Sequence, residues 1–334
     1  MGELAKLGER YQADIQLQLL GGRLVVDMPR GAFVEPMAPS LMGAPASPEV
    51  ETRVVLDHGG ERLVMMANET FQRSPDAIRP AVEALAARWG SPGGSGLKVF
   101  AVPTPKGSTF EIVAVARAPL DLSRSAVPIM DAFIRHPDST VQRLALYVSP
   151  NAADDPAGCG VLAFEMLRTL EIGSRPLVTS HGSRSLNGHP GGPDLTVSVP
   201  NGWIATTKRG PDFVVHTLYR LMPFDGPFAS VHVYVGGHPA PLHRQYPAAC
   251  VTRASGVLLN QNVDWYTLRS DEAGQQPVFR LEALVGVPGS SDQVVLHVFS
   301  ETDNPSMEAE IKAIATSIKA AVSAAEGALH QHGR

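Results

Sequence analysis

Short runs of alternating apolar and polar residues occur along the whole chain, and many of them come in pairs separated by a glycine turn. Such pairs are typical of β-hairpins, because residues that alternate in hydrophobicity suit a strand with one buried face. The predicted turns of the first half lie at Gly21-Gly22, at His58-Gly59-Gly60 and at Lys106-Gly107. The first half therefore predicts antiparallel sheet.

Helical signals are fewer, and each has a capping residue followed by proline. Ser74-Pro75 precedes apolar residues at helical spacing that end at Trp89. Asp155-Pro156 opens a second predicted helix, which ends before Gly173. Asn304-Pro305 opens a third, which we expect to continue through the alanine-rich tail toward Leu329.

The second half of the chain repeats the order of the first. A strand at Leu24–Met28 runs into Pro29 and Gly31, and a strand at Leu195–Val199 runs into Pro200 and Gly202. In both places we expect proline to end the strand and glycine to supply the turn. The aromatic residue that follows, Phe33 or Trp203, is expected to anchor the turn on the core.

This order predicts an α+β chain of two tandem antiparallel-sheet domains, each covered by helices. The first domain is predicted at residues 13–173 and the second at residues 194–326. Residues 174–193, rich in Gly, Ser, Pro and His, are expected to form a linker. Within the second domain, His232 and Tyr234 alternate with Val231, Val233 and Val235, which predicts one polar and one apolar strand face.

The opening strand with its "VPNGW" turn, the hairpins that follow it and the closing capped helix resemble the PsbP-like fold. The resemblance covers nearly the whole chain as two copies, and it implies an α/β/α sandwich. The superfamily includes photosystem PsbP proteins, Ran-binding Mog proteins, DcrB-type lipoproteins and Eag chaperones of type VI secretion. Because most of these relatives are not enzymes, the resemblance implies a binding or chaperone role.

Composition excludes several classes of function. The formal net charge is −5, and the chain has no cluster of Lys or Arg, so we expect no nucleic-acid surface. No apolar stretch is long enough for a membrane span. The two cysteines are far apart, and the N-terminal stretch lacks a secretory pattern, so the chain is expected to be cytoplasmic.

Candidate chemical motifs all have simpler explanations. The glycine-rich stretch from Gly90 to Lys98 lacks the spacing of a phosphate-binding loop. Cys159 lies in the first turn of a predicted helix, where we favour a packed thiol over a nucleophile. The acidic residues at 154–155 and 303 precede helix starts and are expected to assist capping. We therefore predict no catalytic, cofactor or metal site.

What remains is apolar surface for a protein partner. Methionine side chains adapt to varied apolar partners, and tryptophan is common at interfaces, although core packing is the commoner role of both. The candidate contact residues are Met37, Met42, Met65, Met66, Trp203 and Trp265.

These observations predict a non-catalytic protein-binding protein: an adaptor, chaperone or immunity-type protein of a bacterial secretion or toxin system. Its two domains would act as a pseudo-dimer around one partner. Two alternatives stay open. One is a structural or assembly subunit of a larger complex, and the other is an enzyme with a dispersed site between the domains.

Overall fold

A computed structural model describes residues 2–36, 49–89, 97–104, 108–117, 126–177, 180–186, 194–270, 278–287 and 294–320. The described chain is mainly antiparallel β-sheet and divides into two compact units. Unit 1 contains the described residues up to Leu177 together with Met222–Gly226. Unit 2 contains the described residues from Ser180 to Leu221 and from Pro227 to Ala320.

Unit 1 combines a large sheet, a small sheet and three helices. Its helices are α1 (Glu3–Glu9), α2 (Arg79–Trp89) and α3 (Pro156–Arg168). Its strands are β1 (Ile15–Leu19), β2 (Leu24–Met28), β3 (Ala32–Val34), β4 (Glu51–His58), β5 (Glu61–Arg73), β6 (Lys98–Val102), β7 (Glu111–Ala116), β8 (Val127–Arg135), β9 (Thr140–Val148) and β10 (Glu171–Ile172). The segment Met222–Gly226 adds β14 (Met222–Pro223), which pairs in parallel with β5.

The large sheet of unit 1 has the strand order β3-β4-β5-β9-β8-β7-β6, and the small sheet has the order β1-β2-β10. One face of the large sheet packs in a core with α1 and α3, in which Leu4, Met65 and Leu162 are fully buried. The opposite face is partly covered by α2, whose Ile78 and Val82 pack in a second cluster with residues of β7, β8 and β9.

Unit 2 is one sheet with a single α-helix among its described residues, α4 (Glu308–Thr316). Its strands are β11 (Ser180–Leu186), β12 (Leu195–Arg209), β13 (Phe213–Arg220), β15 (Ala229–Gly236), β16 (Val251–Leu258), β17 (Gln261–Ser270), β18 (Val278–Gly286), β19 (Val295–Thr302) and β20 (Lys319–Ala320). Two 3₁₀ turns, Leu242–Gln245 and Ala248–Cys250, lie between β15 and β16. The valines of β15 and the apolar residues of β18 and β19 pack in a core with α4.

The strand orders of the two large sheets correspond position by position. The second sheet runs β12-β13-β15-β19-β18-β17-β16, with β11 and β20 both paired to the N-terminal half of β12. In unit 1, β1 and β10 pair with β2 in the same way. Each unit thus uses the same path of strands and closes with a short strand that follows its last helix.

The two Pro-x-Gly stretches lie at equivalent points of this path. Before Pro29 the chain pairs with β1, and after Gly31 it pairs with β4. Before Pro200 the chain pairs with β11, and after Gly202 it pairs with β13, with one further β11 pairing at Trp203. Gly31 and Gly202 both have positive φ, at 97° and 83°, a region that favours glycine. The stretch is therefore a corner at which the chain changes its strand partners.

Two details of the corner differ from the sequence prediction. The strand does not end at Pro200 in unit 2, because β12 continues through the corner to Arg209. Trp203 is fully buried, as expected of an anchor, whereas Phe33 is 43% exposed and does not anchor its turn. The proline removes one donor from the ladder, but strand pairing resumes as soon as the chain meets its new neighbour.

Some helix boundaries in the structure also differ from those predicted from the sequence. The Asp155 carboxylate accepts a hydrogen bond from the Gly158 N–H at 3.0 Å and caps α3, as the sequence predicts. The predicted cap of α2 at Ser74 is wrong, because α2 begins at Arg79 and the Glu111 carboxylate accepts from the Ile78 N–H. The last helix ends at Thr316 rather than continuing into the tail, and Lys319–Ala320 returns to the sheet as β20.

Several elements were not predicted from the sequence, among them α1, β11 and β8. Helix α1 precedes residue 13 and packs against α3, so closely that a Cβ at Gly8 would lie 2.8 Å from the Leu162 nitrogen. Strand β11 lies within the stretch predicted as a linker. Strand β8 contains Pro128 and Asp131, which interrupt its apolar sequence and are unusual in a buried strand.

Candidate protein-binding surface

The structure places the six predicted contact residues in different environments. Met37 and Met42 lie outside the described residues. Met65, Trp203 and Trp265 are buried in the two cores, so their side chains are not available at the surface. Met66 follows Met65 on β5 and therefore points to the opposite sheet face, where it is half-buried.

Trp203 links the strand after the corner to helix α4 in unit 2. Its indole N–H donates to the Glu310 carboxylate on α4 at 2.7 Å, and its ring is fully buried. The residue therefore fastens the chain directly after the corner to the helix that covers the sheet. The hydrogen bond satisfies the one polar atom that burial of the ring would leave without a partner.

The face of unit 1 that carries Met66 also carries a buried carboxylate, Asp131 on β8. Strand register places Met66 opposite Ala145 and Ala145 opposite Asp131, so the three side chains share one row of the sheet. Asp131 is 1% exposed. An ionised carboxylate at this depth needs cationic or hydrogen-bonding partners.

Two arginines supply those partners. Arg143 on β9 donates from Nε and Nη2 to Asp131 Oδ1, at 2.8 and 2.5 Å. Arg117, which follows β7, donates from Nε to Asp131 Oδ2. The side chains of Arg117 and Arg143 are 25% and 37% exposed, so both guanidinium groups reach the surface.

Trp89, the last residue of α2, lies over this pair. The guanidinium carbon of Arg117 is 4.5 Å from the centroid of the indole, and that of Arg143 is 5.8 Å away. Trp89 in turn contacts Phe133, which contacts Phe224 with a centroid separation of 5.4 Å. We call Met66, Trp89, Arg117, Asp131 and Arg143 the Asp131 surface.

The Asp131 surface carries an excess of positive charge. Two guanidinium groups share one carboxylate, and the described residues give neither arginine a second acidic partner. Arg, Trp and Met are enriched at protein interfaces, and Arg and Trp dominate the residues whose truncation weakens binding most. The arrangement therefore has both the composition and the partial exposure of a protein-binding surface.

Unit 2 contains a second cluster of ionisable residues, centred on Glu282 of β18. Its Oε1 accepts from the Leu242 N–H and from His297 Nε2, both at 2.6 Å. Its Oε2 accepts from the His243 N–H at 2.8 Å and from His243 Nδ1 at 2.7 Å. The His243 ring also stacks on Tyr266 at 3.9 Å.

These contacts determine what Glu282 can do. Burial by itself would raise the pKa of Glu282, but hydrogen bonds from His297 and from the Leu242–His243 turn lower it to about 2. A fully occupied carboxylate with this pKa is a poor general base at neutral pH. Its evident role is to hold the 3₁₀ turn Leu242–Gln245 against the sheet.

The row beside Glu282 is polar and aromatic, in agreement with the predicted alternation on β15. His232 stacks on Phe299 at 4.6 Å, and its ring nitrogens bond with the Thr217 and Ser230 hydroxyls. Burial, followed by the charge of His297, lowers the pKa of His232 to about 4. The ring is therefore neutral at pH 7 and contributes packing and hydrogen bonds.

Unit 1 contains a buried ion pair away from the Asp131 surface. Arg23 Nε lies 3.2 Å from Glu69 Oε2, which also accepts from the Gln142 amide at 3.0 Å. Burial raises the pKa of Glu69 to about 7 despite the nearby Arg23 charge. Burial and then Arg23 lower the pKa of the neighbouring His136 to about 4.

The other residues considered for chemistry are structural. Cys159 is buried and donates to the Ala152 carbonyl at 3.4 Å, and burial raises the pKa of its thiol to about 11. Asp303 accepts from the Phe228 N–H at 2.7 Å, and Asn304 accepts from the Ser306 N–H at 3.1 Å. Asn304 thus caps the turn that follows it, whereas Asp303 bonds the distant Phe228 backbone and does not cap, contrary to the sequence prediction.

The described residues contain neither a cluster of metal ligands nor a helix suited to a membrane. No three His, Cys, Asp or Glu side chains in these ranges lie together as metal ligands would. Among the described helices, none combines the length and the apolar composition that a membrane crossing requires.

Sequence reasoning missed four of the five residues of the Asp131 surface. The sequence predicts Trp89 only as part of an apolar helix face, and it assigns no contact role to Arg117, Asp131 or Arg143. One signal was present: Asp131 interrupts the apolar run "VPIMDAFIR", and a charge in a buried strand needs a partner. The identity of that partner depends on strand register, which the sequence alone does not fix.

Comparisons with known proteins add little to this description. No family model matches the chain, and no curated protein matches it. A chain of the Tle4–Tli4 complex is 13% identical, with a TM-score of 0.24, over 92% of this chain and 97% of that chain. A chain of the Pseudomonas aeruginosa MucA/MucB complex is 13% identical, with a TM-score of 0.19, over 96% and 97%. Similarities at this level establish neither a shared fold nor a shared function.

Proposed function

We propose that this chain is a non-catalytic protein-binding protein, of the adaptor, chaperone or immunity type, and that it binds its partner through the Asp131 surface of unit 1. The observation that carries the proposal is the pairing of two partly exposed arginines on one buried carboxylate beside Trp89. Rigid, partly exposed Arg and Trp side chains are the groups that contribute most to protein interfaces.

The clusters of ionisable residues support the same choice over an enzyme. The Glu282 carboxylate accepts four hydrogen bonds and holds a turn in place. His232 is held neutral by burial, and Cys159 has a raised pKa. Each of these groups is engaged in structure, whereas the Asp131 surface has donors left for another molecule. The PsbP-like assignment of each unit stays a prediction from the sequence.

The proposal is tested by affinity capture with the full chain in its native host, followed by purification of the captured protein. The purified partner should form a stoichiometric complex on size exclusion and change the fluorescence of Trp89. It should also slow hydrogen exchange in β8 and β9. Failure to recover any stoichiometric partner under several growth conditions would contradict the proposal, and so would protection confined to unit 2.

A further inference from the structure

We propose that the Asp131 surface binds a carboxylate side chain of the partner protein, flanked by an apolar residue, with Arg117 as the group that holds the carboxylate. This inference rests on the proposed function, because it names the chemistry of the partner at the same surface.

The guanidinium group of Arg117 is hydrogen-bonded through Nε, whereas its Nη1 and Nη2 edge has no acceptor among the described residues. Its Nε donates to Asp131, while the described residues accept no hydrogen bond from its Nη1 or Nη2. The two Nη groups form the edge of the guanidinium that matches the two oxygens of a carboxylate. An arginine anchored through Nε thus presents a two-pronged donor to solvent.

Two neighbours hold this donor still. The Trp89 ring lies 4.5 Å below the guanidinium carbon, and the Arg117 backbone N–H donates to the Ile129 carbonyl at 2.9 Å. Arg117 therefore loses little side-chain freedom when it binds. A donor held in its binding position loses less entropy on association, so the interaction is stronger than with a mobile surface arginine.

Charge balance selects an anionic ligand. Asp131 neutralises one of the two guanidinium groups, and Arg143 already uses two nitrogens on the same Asp131 oxygen. The local excess of one positive charge is complementary to one carboxylate. Met66, in the Asp131 row, offers adaptable apolar contact for the residue beside that carboxylate.

The test begins with the full chain and a phage-displayed library of random dodecapeptides. Peptides enriched on the wild type but not on Arg117→Gln should contain Asp or Glu next to Phe, Leu, Met or Trp. Titration calorimetry then compares the best peptide with its Asp→Asn or Glu→Gln form. We expect either change, in the peptide or at Arg117, to weaken binding about 10- to 100-fold, and the two changes together to cost little more than one.

Arg62→Gln is the matched control, because Arg62 is an exposed arginine that pairs with Asp57 elsewhere on unit 1. It should leave the affinity within about twofold of the wild type. Arg117→Lys keeps the charge but lacks the two-pronged donor, and it should bind as weakly as Arg117→Gln. The change in the peptide leaves the protein intact, so the test holds even if an Arg117 variant is unstable.

The outcomes separate the two proposals. A host partner that binds wild type and Arg117→Gln equally would overturn the carboxylate proposal and leave the proposed function standing. Enriched peptides without acidic residues, or binding only of phosphorylated peptides, would also overturn it. If neither a host partner nor an enriched peptide is found, both proposals fail.

Discussion

Replacing Glu282 with Gln should release the 3₁₀ turn that Glu282 holds against the sheet of unit 2. Glutamine keeps the shape of the side chain but exchanges one acceptor oxygen for an NH₂ donor. Each Glu282 oxygen accepts from one backbone N–H, of Leu242 or of His243. Whichever way the amide is oriented, one of these N–H groups must therefore face another donor.

The magnitude follows from two independent considerations. Leaving a buried donor unsatisfied costs about 1–3 kcal/mol, and the remaining hydrogen bonds also lose the assistance of the charge. The pKa of Glu282 is lowered from 4.5 to about 2, which corresponds to about 3 kcal/mol at 1.36 kcal/mol per pKa unit. We therefore expect Glu282→Gln to lower the free energy of unfolding of unit 2 by about 3–5 kcal/mol.

The sign of the pH dependence follows from the lowered pKa. The contribution of Glu282 is complete above about pH 4.5 and is lost as the pH falls toward 2. The variant should lack this dependence. Urea unfolding can be followed by the fluorescence of Trp203 and Trp265 in a Trp89→Phe background, which removes the signal of unit 1. Hydrogen exchange of residues 237–250 reports the turn itself.

Glu301→Gln is the control for this prediction. Glu301 lies on the neighbouring strand β19, is 37% exposed and pairs with Arg280 at 3.4 Å. Exposed pairs contribute about 0–1 kcal/mol, so this variant should change stability by less than about 1 kcal/mol. Equal stability of the two variants, with unchanged exchange of the turn, would refute the role assigned to Glu282.

Three further results are expected. Burial and the charges of Arg209 and Arg184 lower the pKa of His216 from 6.5 to about 4, so the free energy of unfolding should fall by up to about 3 kcal/mol as the pH drops from 6.5 to 4. In acid titrations, the free energy of unfolding of His216→Leu should depend less on pH than that of the wild type. His238→Gln changes an exposed histidine and is the control. If the two variants showed equally steep pH dependence, the role assigned to His216 would be contradicted. Gly202→Ala should lower the thermal unfolding midpoint more than Gly31→Ala, because both glycines have positive φ but only a Cβ at Gly202 meets the Arg220 guanidinium. Equal shifts would remove that contact as a cause. Finally, the Cys159 thiol should react with a disulfide reagent at least about tenfold more slowly than Cys250, because it is buried and its pKa is raised; mass spectrometry of labelled peptides measures both rates.

Short sequence patterns correctly predicted the turns and the helix cap that depend on neighbouring residues. The hairpins at Gly21-Gly22 and His58-Gly59-Gly60 formed as predicted, since a glycine turn between alternating strands leaves few other conformations. The Asp155 cap of α3 was also predicted correctly. In both cases, residues within a few positions of one another decide the structure.

Elements that depend on distant residues were missed. Strand β16 (Val251–Leu258) is mostly exposed, so its sequence shows no buried face, and only pairing with β17 makes it a strand. Strand β8 carries Asp131 in its interior, and two arginines from other parts of the sequence make this possible. The Asp131 surface could not be predicted for the same reason, because β5, β8, β9, α2 and the residue after β7 each contribute part of it.

In each unit the first strand and the short strand after the last helix pair with the same strand, β2 or β12, so this pairing depends on the order in which the chain is synthesised. In unit 1, β2 must leave the ribosome long before β10, yet Leu24 pairs with Ile172. In unit 2, Leu195 of β12 likewise pairs with Ala320 of β20, which is synthesised much later. Each of these two pairings therefore forms late, and a nascent unit keeps one side of β2 or β12 unpaired until the short strand after its last helix emerges. Removing β10 or β20 alone should leave one edge of β2 or β12 unpaired again. Each of these short strands therefore covers the edge of an otherwise assembled sheet.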